Sequence, residues 1–200
     1  MGFFKLKEGK QSMLGKPGVF HNEAESGYVD QALKGDIDFD GQRAIVRAEA
    51  TEVADRVFSS LQKLPALIRW DDITKEQIDS VVIRRKKGEK KEEITDNHKR
   101  REFYHNQPRA KLLRKLFPEH TFLNYLNYEC TREEYIERKV NGTYSTYAVL
   151  KDGKWYQHGK MGWFGISHNE MTDDEWYAEF AKLIDSIPDG TLLSVYDCHI

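Results

Sequence analysis

Asp197, Cys198 and His199 stand side by side at the end of an apolar run, Leu192-Leu193-Ser194-Val195-Tyr196. On an extended strand alternate side chains share a face, so Asp197 and His199 would point one way and Cys198 the other. Joined by His158 or His168, with Glu170 from a glycine-rich loop, they offer the donor types of a zinc or other divalent site. Such a site would suit metal-assisted hydrolysis or nuclease chemistry, with His168 and His105 as further candidate catalytic groups. The preferred reading is structural: an Asp that satisfies a neighbouring His at a strand end. The spacing matches no zinc signature, and no metal or cofactor is expected.

Four other groupings have chemical potential. Asp36, Asp38, Asp40 and Gly41 follow the D-x-D-x-D-G opening of a calcium loop, but Arg47 stands at the twelfth position, where a bidentate Glu is needed. A half-exposed strand entering an Asp-Gly turn is preferred there. Asn106 and Gln107 precede Pro108, where a helix start leaves main-chain N–H groups unpaired; Asn106 reads as an N-cap, with substrate or phosphate binding as the alternative. Trp163 and Phe164 lie between Gly162 and Gly165, as in a recognition loop whose aromatics anchor a partner, or as a core plug. Arg84, Arg85, Lys86, Lys87, Lys90 and Lys91 could neutralise phosphates, with Phe103 and Tyr104 nearby for stacking, although Glu89, Glu92 and Glu93 dilute that charge. No P-loop, dinucleotide fingerprint, HExxH, kinase signature or Ser-His-Asp order is present.

The elements that must position these residues are clearest in the last third. Asp152-Gly153 between Ser145–Leu150 and Lys154–Gln157 is a two-residue hairpin signal, because a type I′ turn needs positive φ at both central residues. Thr172 with Glu175 opens a helix whose Trp176, Phe180, Leu183 and Ile184 recur at helical spacing, and Pro188-Asp189-Gly190 stops it before a last strand. Upstream, Val53, Val57, Leu61 and Leu64 mark a helix from about Ala48, closed by Pro65. Thr74 with Gln77 offers a capping box for a short helix, while Ser80 to Ile83 has the β-branched content of a strand, and the element is open between the two. Further helices are predicted after Asp96, from Pro108 with Leu112, Leu113, Leu116 and Phe117 on its apolar side, and from Thr131 with Glu134 as its box.

The expected fold class is therefore α+β. A mixed, mainly helical N-terminal part precedes a C-terminal hairpin, helix and strand layer, with the terminal strand buried in a small sheet. The expected divisions are a polar arm at 1–21, a helical region at 22–83, a basic linker or hairpin tip at 84–95 and an α+β domain at 96–200.

Two hundred residues with 39% hydrophobic and 32% charged content suit a folded chain with a well-solvated surface. No apolar run approaches the length of a membrane span, and the first residues lack a signal peptide's features, so a cytoplasmic setting without a membrane partner is expected. Cys130 and Cys198 form no metal-knuckle spacing and suggest reduced thiols. The net charge of -2 hides a polarity: residues 84–115 hold 13 Lys/Arg against 5 Asp/Glu, and residues 116–200 hold 7 against 14. A basic middle beside an acidic end fits an anionic partner or mutual attraction of the two parts.

From about Phe103 to Ile200 the chain resembles a C-terminal domain of bacteriophage and bacterial mobile-element proteins. The likeness rests on Phe103-Tyr104-His105-Asn106-Gln107-Pro108, Tyr147 to Tyr156, Met161 to Gly165 and the closing Asp197-Cys198-His199-Ile200. It implies a setting in a bacterial host rather than a reaction. The expected function is thus an accessory protein that binds a host or phage protein or ribonucleoprotein complex, with the metal-assisted hydrolase and an RNA- or DNA-binding protein as alternatives.

Overall fold

The structure is a computed structural model that describes residues 3–13, 16, 28–83, 94–162 and 167–196. Helices and small antiparallel sheets make it an α+β fold. Strand β1 (Phe4–Lys5) pairs with β2 (Tyr28–Val29), and β3 (Gln31–Leu33) follows after a bend at Asp30. A 3₁₀ turn over Lys34–Asp36 leads to helix α1 (Phe39–Leu61), which begins nine residues before the predicted start at Ala48. Asp38 is the reason. Its Oδ1 accepts the Gly41 N–H at 2.9 Å, satisfying an orphan donor of the first turn. The aspartates at 36, 38 and 40 thus belong to a 3₁₀ turn, a helix cap and a first helical turn, which corrects the expected strand and Asp-Gly turn. Arg47, on the same helix, holds Glu137 in a two-pronged ion pair.

The chain divides into two compact units, one of Met1–Thr51 with Ile136–Ile200 and one of Glu52–Tyr135. The division does not follow the basic segment 84–95. In the second unit, Ala54, Val57, Phe58 and Leu61 of α1 are buried. Helix α2 (Lys75–Asp79) starts at the Thr74/Gln77 box, which decides that open element in favour of a helix, and α3 (Asp96–Asn106) starts at a box made by Thr95 and His98. Ser80 to Ile83 form no strand; Ser80 ends α2 and Val82 is exposed. Pro108 opens α4 (Pro108–Leu116) as predicted, since the first helical position needs no N–H. Asn106, however, is the last residue of α3 and donates back to Glu102 O at 2.9 Å, so it does not cap α4. The cap position falls to Gln107, whose buried amide instead accepts the Ile68 N–H at 2.7 Å and donates to Ile68 O at 3.0 Å. Aromatic rings pack in this unit as well: Tyr128 stacks on Tyr135 and on Phe117, and the Arg56 guanidinium lies 4.9 Å from the Phe117 centroid.

Helix α5 (Arg132–Asn141) starts at the Thr131/Glu134 box, where the Thr131 N–H donates to Glu134 Oε2 at 2.7 Å. It returns the chain to the first unit. There Tyr144, at φ 62°, turns its ring among Phe3, Phe4 and Phe39, and its hydroxyl accepts the Lys5 N–H at 2.9 Å. A positive φ is unusual for a bulky residue, and this one is held by its buried ring. Strands β4 (Ala148–Lys151) and β5 (Lys154–Gln157) form the predicted hairpin, with Asp152 at φ 50° and Gly153 at φ 75°. After β6 (Lys160–Met161) and β7 (Ser167–His168), helix α6 (Asp173–Asp185) buries Trp176, Phe180 and Leu183 behind its Thr172/Glu175 box. Lys34 Nζ donates to Ile187 O at 2.7 Å just beyond the end of α6, where a cation meets the helix's negative pole.

The final strand, β8 (Leu192–Ser194), pairs antiparallel with β3 in a two-stranded sheet. Among the described residues it has β3 as its one neighbour, and it is half-buried rather than buried. Its Leu193, with Val195, packs on the core of Phe4, Val29, Ala32, Ile37 and Tyr144. The sequence pattern identifies this strand but not its partner.

Candidate functional site

Several predicted site residues lie outside the described residues: Asp197, His199, Trp163, Phe164 and the basic run Arg84, Arg85, Lys86, Lys87, Lys90 and Lys91. The remaining metal candidates occupy the first unit. His158 is half-buried, its ring against Tyr147 and Trp176, and its Nε2 stands 3.8 Å from Asp173 Oδ1. His168 is exposed on β7, and the Glu170 carboxylate accepts the Ser167 hydroxyl. Among the described residues no three His, Cys, Asp or Glu side chains are grouped to hold a metal ion.

His105 belongs to the second unit, edge-on to Tyr104 and Tyr125. Burial there, reinforced by Arg101 and Arg114, lowers its pKa from the ordinary 6.5. Burial likewise pushes the Tyr104 hydroxyl up to about 12. Gln107, predicted to contact a ligand, spends both ends of its amide on Ile68, and Asn106 turns to Glu102. The two act as structural groups.

A concave feature lies in the first unit. It is a cleft of about 570 Å³, bordered by the β4–β5 hairpin, the end of α6 and β8. That volume falls within the range of ligand sites. Its deep wall is the buried ring of Phe180 with Ile187 and Leu193, and its rim carries Leu150, Trp155 and Tyr196, exposed at 66%, 57% and 57%. Leu150 and Trp155 are cross-strand partners, so their side chains share one hairpin face. On the other face Tyr156 is covered by Lys154, whose Nζ stands 4.6 Å from the ring centroid.

No family model, curated protein or solved structure matches the chain.

The site's chemistry must therefore be read from its own groups. Its polar groups are largely engaged: Thr146 Oγ1 donates to Ala148 O at 2.8 Å, Ser194 Oγ accepts from Gln31 Nε2 at 2.9 Å, and Lys151 pairs with Asp152 at 2.6 Å. The Asp152 hydrogen bond raises the Lys151 pKa. What the cleft offers is apolar area around a few fixed hydrogen bonds, suited to holding an apolar partner in place.

Leu150 and Trp155 were not among the predicted binding residues, although a signal existed. The hairpin places Leu150 and Trp155 on one face and Val149 and Tyr156 on the other, making it apolar on both sides. A two-stranded hairpin has one face to give to its own core, so the second is available to something else. Phe180, Ile187 and Leu193 carry no such signal, because only folding brings them to one wall.

Proposed function

We propose that this protein works by binding a partner polypeptide in the cleft of its first unit, as an accessory protein in the bacteriophage or mobile-element setting that the sequence resemblance implies. The observation that carries this reading is the apolar cleft rimmed by Leu150 and Trp155, two large side chains more than half exposed. A protein normally keeps such side chains scattered; grouped at a concave site, with a Trp among them, they have the make-up of an interface anchor.

The test uses peptides selected from a random display library on the full chain. Leu150→Asp and Trp155→Asp should each weaken peptide binding by about tenfold or more while leaving the unfolding transition within about 0.5 kcal/mol, since exposed positions contribute little to stability. Selected peptides that bind both variants as well as they bind the parent chain would refute it.

A further inference from the structure

The strands beside the cleft border it along their length. Ala148, Val149, Leu150 and Lys151 of β4 all line it, and so do the consecutive residues from Leu192 to Tyr196. Neighbouring residues of a strand point to opposite faces, so a wall built from every residue in turn is a strand edge rather than a sheet face. Among the described residues each strand is paired on one side alone, β4 with β5 and β8 with β3.

The register identifies the remaining main-chain groups. Val195 N–H donates to Asp30 O and Lys34 N–H to Thr191 O, each at 2.9 Å. Residues 191, 193 and 195 therefore address β3, and Leu192 and Ser194 turn their N–H and C=O groups the other way. On the hairpin, His158 N–H donates to Tyr147 O at 2.9 Å, so residues 147, 149 and 151 address β5 and Leu150 turns outward. Among the described residues no main-chain partner meets these outward groups of Leu150, Leu192 and Ser194. Among the described residues, two edges with unmet hydrogen-bonding capacity thus border one apolar cleft.

We propose that the partner enters this cleft as an extended segment and hydrogen-bonds the outward edges of both β4 and β8. The proposal rests on the cleft being the partner site. Charge complementarity at the scale of main-chain dipoles favours such a segment. N–H and C=O groups at strand spacing present alternating partial positive and negative charge, which another extended backbone matches with its own. The surrounding side chains favour a segment of aliphatic and aromatic residues, since the Lys151 ammonium is already committed to Asp152. An apolar small molecule would fill the volume but leave the edges unmet.

The probes are the selected peptides, resynthesised with one or the other alternate set of their amides N-methylated. A strand pairing with both edges uses both sets, so methylation of either should weaken binding by about tenfold or more. Bound peptide should also slow hydrogen exchange at the Leu150, Leu192 and Ser194 amides. If methylated peptides bind unchanged, or those amides exchange as before, while Leu150→Asp still abolishes binding, strand pairing is wrong and the cleft reading stands. Weakening by only one methylated set overturns pairing with both edges. Binding indifferent to Leu150→Asp and Trp155→Asp overturns the cleft reading and this proposal together, as does a selection that yields no peptide.

Discussion

Gln107 shows how one side chain substitutes for secondary structure. Its amide supplies an acceptor and a donor to the two main-chain groups of Ile68, 39 residues away, where no strand is present to do so. Gln107→Ala leaves both groups without that partner and should cost about 2 kcal/mol, measured as a lower urea midpoint. Gln107→Glu keeps the acceptor and should fall between the two. His105 makes a pH-dependent contribution in the same unit. Its folded pKa is lowered from 6.5, so below that pH the unfolded chain binds more protons than the folded one. The stability it contributes is present above pH 6.5 and is lost as pH falls through the folded value. The His105 ring should titrate below 6.5 by NMR, and His105→Phe should flatten the fall in stability on acidification. Neither role could be read from His105-Asn106-Gln107 as text. A partner 39 residues distant and a ring environment assembled from two segments leave no mark in local spacing.

At the scale of elements, what the sequence made legible was local. Thr74/Gln77, Thr131/Glu134 and Thr172/Glu175 each settle a helix start within four residues, and Asp152-Gly153 settles a hairpin within two. The start of α1 was missed because an aspartate-rich stretch suits a turn, a metal loop and a helix cap alike, and only the Asp38-to-Gly41 hydrogen bond separates them. Asp38→Ala should therefore destabilise the protein by about 1 kcal/mol, with Asp38→Asn or Asp38→Ser restoring most of the loss, as read by chemical denaturation. An equal loss in all three would show that the cap is not what matters at Asp38. The cleft was legible only in its hairpin, through the apolar Leu150 and Trp155; its other walls come from elements whose patterns look like ordinary core.

For the whole molecule, the decisive pairing is β3 with β8. Gln31 and Ser194 are 163 residues apart, yet their side chains are 2.9 Å from one another. The segments 31–33 and 192–195 are too short to announce such a partnership, which is why a boundary at 84–95 looked natural and a unit containing both flanks did not. Leu193→Ala, at the junction of strand and core, should cost about 2 kcal/mol and shorten the protection of the Ala32 amide in hydrogen exchange. Unchanged exchange at Ala32 would mean that β3 does not depend on β8. This long-range pairing also imposes a schedule during synthesis. A ribosome adding about 5–20 residues per second needs roughly 8–33 seconds to go from the codon for Gln31 to that for Ser194. Throughout that interval β3 waits without its mate, and residues 52–135 are completed within it as an uninterrupted stretch. The nascent chain thus carries an orphan strand for most of its own production, and a chaperone that shields residues 28–37 would find its client there.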